Sequence, residues 1–279
     1  MLDILLHLLP SIVASLIYAG LGFHFWNTRW RETGKALDPL KMQSWESMMI
    51  LSALALHGGS LYYALFSSEG MRFSFSLALS LILWLAVLIY WLESFRSRMD
   101  GLQPMVLPLA AFCATLPVIF SQVHVIAHAK AWGFKLHFLA AMLAYSLFTL
   151  SALHAVFMGF VERKLHHREL SKQLASLPPI LTMEALLFRM LGIAFSLLTV
   201  ALASGLFFSE ALFGKALALD HKTLFAFASW GIFAALLIGR HVYGWRGRIA
   251  LRWTLTGFLL LFLAYIGSRF VSEVLLGRI

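Results

Sequence analysis

Apolar residues run along this chain in eight stretches, near residues 4–26, 44–66, 73–92, 104–122, 133–160, 184–208, 221–241 and 251–275. Most are about 20 residues long, the length at which an α-helix crosses the ~30 Å hydrocarbon layer of a bilayer. The runs are continuous and do not alternate apolar with polar, which argues against a transmembrane β-barrel. The pattern therefore predicts an all-α fold, a polytopic membrane bundle of about eight transmembrane helices. The fourth run holds Pro104, Pro108 and Pro117, which predict a kinked helix whose freed carbonyls need cover from neighbours. The fifth is long enough to tilt or to extend past the membrane. The longest connection, roughly 161–183, is polar, ends in Pro178-Pro179 and is too short for a domain. Residues 1–279 read as a single transmembrane domain.

Composition supports the pattern. Hydrophobic residues make up 61% of the 279, charged residues only 13%, and the mean hydropathy is +0.83. A soluble domain carries about 25% charged residues. Too little polar surface remains to coat a globule in water, so the solvent is lipid. The net charge of +9 resides in short loops beside the apolar runs, where it sets orientation and offers no nucleic-acid surface. One side's connections carry Arg29, Arg31, Lys35, Lys41, Arg96, Arg98, Arg163, Lys164, Arg168, Lys172, Arg240, Arg246, Arg248 and Arg252. The other side has Arg72, Lys130, Lys135, Lys215, Lys222, Arg269 and Arg278. This positive-inside bias places both termini outside the cytoplasm, N-out and C-out. Trp26, Trp30, Trp45, Trp91, Trp245 and Trp253 fall at the cytoplasmic edges, as an interfacial belt would. The N-terminus has no basic n-region and no cleavage site, so the first run is expected to stay as a span. Cys113, the single cysteine, can build neither a disulfide nor a Cys-x-x-Cys-His haem attachment.

Eleven histidines in so apolar a chain call for partners, because an unpaired polar ring in lipid is costly. His7, His166 and His167 are expected to be solvated, and His24 and His154 to cap or pack. His57 lies well inside the second run, in Leu56-His57-Gly58-Gly59, where small neighbours admit a helix or a flat ligand. His137 sits near the outer end of the fifth run, His221 opens the seventh on the outer side, and His241 closes it at the cytoplasmic end. Imidazoles from different helices can clamp haem iron in a bundle. A hydrogen-bonded structural role is the other reading of each, and spacing alone leaves both open. His124 and His128, four residues apart, are either a Zn²⁺ or Cu²⁺ pair or a solvated loop pair. No G-x-x-x-x-G-K-[ST], H-E-x-x-H or G-x-S-x-G motif occurs. Glu46, Glu184, Glu210 and Asp220 lie at span ends, so no carboxylate relay crosses the bilayer.

Several segments resemble one family. His137-Phe-Leu-Ala-Ala-Met-Leu-Ala-Tyr145 is similar to the H-x₇-Y helix of CcsA-like cytochrome c assembly proteins. Asp220-His-Lys-Thr-Leu-Phe-Ala-Phe-Ala-Ser-Trp230 resembles that family's D-x-K-x-x…W helix. Gly244-Trp245-Arg246-Gly247 resembles the G-W-R-G of its HemX-type and YpjD-type branches, and Thr256-Gly257-Phe258 with Tyr265-Ile266-Gly267 its last span. The resemblance covers nearly the whole chain and is sharpest between residues 137 and 270. It implies a multi-pass protein of the bacterial inner (plasma) membrane that binds or handles haem, as haem b, and is linked to cytochrome c assembly. It carries His137 over as the outer haem ligand, and His57 and His241 as the family's histidines within the spans. Three features depart from the family. The Trp-rich W-G-x-x-W-x-W-D box is absent, the second outer histidine expected near Leu276-Gly277 is missing, and His241 sits one helical turn beyond the family's position near Ile238. His221, on the outer side, is the candidate substitute.

Two functions follow from these readings. In the first, the protein holds or passes haem between imidazoles without bond chemistry of its own, with Lys135, Lys222 and Arg269 as candidate partners for haem propionates. Other cytochrome c maturation or membrane proteins are its expected partners. In the second, it is a cofactor-free regulatory or scaffolding membrane protein, a HemX-like regulator or an accessory to an ion transporter. A transporter itself is disfavoured, since no inverted repeat or matched pair of interrupted helices is visible.

Overall fold

The structure is a computed structural model describing residues 2–30, 42–67, 70–96, 101–120, 124–126, 131–166, 178–213 and 221–271. His128, His167, Asp220 and the Leu276-Gly277 position lie outside the described residues, as do the side chains of His7, His124 and Glu210.

Each apolar run forms a helix. They are α1 (Leu2–Phe25), α2 (Ser44–Leu65), α3 (Phe75–Glu93), α4 (Gln103–Ile119), α5 (Trp132–His166), α6 (Ile180–Phe213), α7 (His221–Val242) and α8 (Arg248–Phe262). Seven helical segments are long and apolar enough to cross a membrane, and α4 is a shorter apolar helix. The chain is thus an all-α, polytopic membrane bundle. The long fifth run extends well beyond one bilayer thickness, as α5. Helix α1 ends in a π-helical turn, Trp26–Trp30, and α8 continues through another, Leu263–Gly267, into Ser268–Phe270.

Local chemistry marks the helix starts. The Ser74 hydroxyl accepts the Leu77 N–H (3.3 Å) ahead of α3, and the Glu46 carboxylate accepts the Gln43 N–H (2.7 Å) at the start of α2. Pro104 occupies the first turn of α4, where its missing N–H costs nothing. Farther along α4, Pro117 removes the donor to the Cys113 carbonyl. Nearby, the Ala114 and Ala111 carbonyls take hydroxyl donors from Ser11 and Ser15 of α1, which tie the two helices together.

The helices form two four-membered sets. In one, α1 packs on α2 and α4, and α3 closes the ring by packing on both α2 and α4. In the other, α5 packs on α6 and α8, and α7 closes the ring. The seam between the sets runs along α3 and α5. Trp30 crosses it, stacking on Phe157 and Phe160 of α5 (centroids 5.7 and 5.2 Å apart) while its indole N–H donates to the Gly101 carbonyl (2.9 Å).

The two ends of the bundle differ. At the basic end, ion pairs gather among the described residues: Glu46 with Arg29 and His24, Glu93 with Arg189, Glu162 with Arg248, and Glu184 with Arg240. At the other end lies an antiparallel sheet the apolar pattern did not announce, of β1 (Phe66–Ser67), β2 (Gly70–Phe73) and β3 (His124–Ile126). Its register pairs Phe66 with Met71 and Phe73 with His124. Gly70, at φ 135°, makes the turn into β2.

Candidate functional site

The four candidate histidines occupy four different settings. His137 lies on the first turns of α5 and is partly buried against α6. Its Nδ1 is 3.0 Å from the Ala201 carbonyl and 3.1 Å from the Ser204 hydroxyl. A carbonyl only accepts, so Nδ1 carries the proton. The Ser204 hydroxyl directs its own proton to the same Ala201 carbonyl (3.0 Å), which leaves its oxygen free to accept from Nδ1 as well. The Nε2 of His137 is then an unprotonated nitrogen, and it has no partner among the described residues. Gly205 lies against the ring, where a Cβ would make an ordinary contact at 3.4 Å.

His57 is sealed inside the first four-helix set, at 0% exposure. Its Nε2 is 2.8 Å from the Ser80 hydroxyl of α3, and its ring meets Tyr18 of α1 edge-on at 5.9 Å. Its Nδ1 has no hydrogen-bond partner, and neither has the Tyr18 hydroxyl. Two orphaned polar atoms in one dry interior are unusual, because each costs about 1–3 kcal/mol. Gly58 beside it leaves room for Trp84, whose indole N–H donates to the Leu54 carbonyl (2.8 Å).

His241 is exposed at the basic end of α7, with Nδ1 donating to the Leu237 carbonyl of its own helix (2.9 Å). His221 is exposed at the first residue of α7. Helix α7 reaches α6 through Trp230, which donates to Thr199 (3.0 Å) and stacks on Phe195 (5.5 Å), whereas His137 docks at Ala201, Ser204 and Gly205. At about 100° per residue, Thr199 and Ala201 are roughly 160° apart around α6. The structure therefore brings none of the four histidines into contact with another. Three metal-ligating side chains do not converge anywhere among the described residues.

His24 and His154 hold the bundle together. His154 donates from Nε2 to the Met183 carbonyl (3.0 Å), tying α5 to α6, and His24 pairs with Glu46 (3.0 Å). Of the basic residues considered for propionates, Lys135 is exposed and Lys222 partly buried, and the Arg269 guanidinium lies 5.9 Å over the Tyr265 ring.

Sequence reasoning missed the partners Tyr18, Ser80 and Ser204. It also missed a clamp at the basic end. Glu184 of α6, buried in the bundle, accepts from Arg240 (2.6 Å) and from the Gly247 backbone N–H (3.1 Å). Gly244 and Gly247 both have positive φ, 66° and 55°, and the Trp245 ring fills a slot that only glycine at 239 leaves open. The G-W-R-G segment is thus a turn latched to a buried carboxylate.

The remaining motif residues hold the second four-helix set together. The Tyr145 hydroxyl donates to the Leu261 carbonyl of α8 (3.1 Å), and Ser229 donates to the Gly257 carbonyl (2.9 Å), where the missing side chain admits Phe233. The family model for cytochrome C assembly proteins matches residues 45–276, and so takes in all of these positions. This chain belongs to the cytochrome c assembly protein family. Within reach of that family it is 27% identical to the inner membrane protein YpjD of Escherichia coli K12, over 84% of this chain and 90% of the relative. It is 35% identical to an uncharacterised 28.8 kDa protein of Azospirillum brasilense, over 51% of this chain and 52% of that protein, so the match spans about half of that relative's length. It is 31% identical to the cytochrome c biogenesis protein CcsA of Gloeobacter violaceus, over 33% of this chain and 27% of the relative.

Proposed function

We propose that this chain, a multi-pass protein of the bacterial inner membrane, holds haem for cytochrome c assembly, with His137 as the axial ligand on the outer side. The observation that carries the reading is the hydrogen bond from His137 Nδ1 to the Ala201 carbonyl. It fixes the tautomer, orients the ring and leaves the Nε2 lone pair for a metal, as outer-sphere partners of ligating histidines do. His137 thus fits the demands of haem iron. His57 fits in part, since its orphaned Nδ1 lacks a partner but its ring is closed in by Tyr18 and Ser80. His241 offers an unengaged Nε2 at the cytoplasmic end, and His221 remains the candidate second outer ligand. Haem, when bound, supplies an iron centre ligated by imidazole, and haem b is the form this non-covalent arrangement takes. The family and the CcsA relative support a place in cytochrome c biogenesis.

An absorption spectrum of protein purified from haem-sufficient cells tests the proposal. A Soret band with split visible bands on reduction, lost in His137→Ala and kept in His166→Ala, supports it. A colourless wild-type preparation overturns it. That outcome favours the second reading, a cofactor-free regulatory or scaffolding protein. The observation on its side is that no two of the four histidines face one another.

A further inference from the structure

A cavity of about 480 Å³ opens at the cytoplasmic end of the seam between the two four-helix sets. Arg96 lines it from the turn that follows α3, and Pro178, Pro179, Thr182, Leu186 and Arg189 line it from the start of α6. Among the described residues no acidic side chain is in the lining. Glu93 holds Arg189 from outside it, linking α3 to α6, and Arg96 has no carboxylate partner among the described residues. Two arginines therefore line one hollow, Arg189 already paired with Glu93, at the depth where basic loops and tryptophans mark the cytoplasmic edge. From there an apolar track leads toward the membrane middle. Leu186, Ile193 and Val200 recur at seven-residue spacing on α6, and the latter two are 51% and 44% exposed.

We infer that this cavity binds the phosphate headgroup of an anionic phospholipid, with an acyl chain lying along the Ile193–Val200 track. Basic pockets between membrane helices on the cytoplasmic side recognise headgroups in this way, and guanidinium suits phosphate geometry. A free phosphate ion would satisfy the arginines equally well. It would have no use for the exposed apolar stripe beneath them, and so the lipid is favoured. The inference is independent of haem.

Native mass spectrometry of the detergent-purified full chain, with phosphatidylglycerol or phosphatidylcholine added, provides the test. Phosphatidylglycerol is expected to be retained in preference to phosphatidylcholine. Arg96→Gln is expected to weaken that retention about five-fold, the effect of one basic residue near a lipid surface. Ala185 also lines the cavity, so Ala185→Trp, which fills it without removing charge, is expected to weaken retention at least as much. Arg252→Gln, at the same end but outside the cavity, is expected to leave it unchanged. Equal retention of the two lipids overturns the inference, as does an equal fall in Arg252→Gln. Displacement of the lipid by inorganic phosphate at low millimolar concentration identifies a soluble-anion site and overturns it too.

Discussion

Ser204 and Ala201 act on His137 through proton direction: the carbonyl accepts, the serine proton is already engaged, and the imidazole proton has one place to go. Ser204→Ala is accordingly expected to keep the fold and to weaken haem retention about ten-fold, the usual loss when an outer-sphere partner of a ligating histidine is removed. Haem titration followed at the Soret band measures this, and unchanged retention would show that Ser204 does not orient the ring. The Tyr18 hydroxyl makes the opposite case. It is buried with no partner, so Tyr18→Phe is expected to raise stability by about 1 kcal/mol, because an unmet desolvation cost disappears. Thermal unfolding in detergent reads the change. Destabilisation would mean that the hydroxyl bonds to something, such as an ordered water. At this scale His57 and His137 stood out in the sequence because a histidine in an apolar run is rare. Tyr18, Ser80 and Ser204 did not, since hydroxyls in helices are commonly satisfied by a carbonyl one turn back.

Elements are set by close approach and by what caps their ends. Glu184 was legible only as a carboxylate at a span end, and G-W-R-G only as a resemblance. Folded, they are one device, in which the left-handed glycines turn the chain and Trp245 fills the space over Gly239. Glu184→Gln is expected to cost about 2 kcal/mol, below the 3–5 typical of breaking a fully buried pair, because Arg240 reaches solvent. It should also make the 243–247 turn more susceptible to proteolysis. Gly239→Leu would drive a side chain into the indole and is expected to cost about 1–3 kcal/mol as overpacking. A melting temperature unchanged in both variants would mean that the latch contributes nothing. Helix α4 was the least regular element in the apolar pattern, and its prolines were the reason. The sequence indicated an irregular helix, but could not name α1 as the neighbour whose serines bond to its carbonyls.

For the whole molecule, loop charge predicts both termini outside the cytoplasm. An alkaline phosphatase fused after Ile279 is expected to be active, and activity confined to fusions in the 161–183 connection would invert the assignment. Trp30 is the wedge that couples the two four-helix sets at the basic end. Trp30→Ala is expected to cost about 2 kcal/mol, below the ~3–5 of a fully buried aromatic because Trp30 is partly buried, with an earlier, broader unfolding transition.

Hydropathy and loop charge are properties of the chain taken in order. They sufficed for an all-helical, multi-pass membrane protein and for where its apolar helices lie, because a bilayer filters segments by length and polarity alone. Which helices neighbour one another is a different kind of information. That His57 meets Tyr18 and Ser80, that His137 leans on α6, and that Glu184 reaches Gly247 across 63 positions depend on contacts between distant segments. In lipid those contacts are chosen by shape and by the need to satisfy each buried polar group, and neither can be read along a single helix.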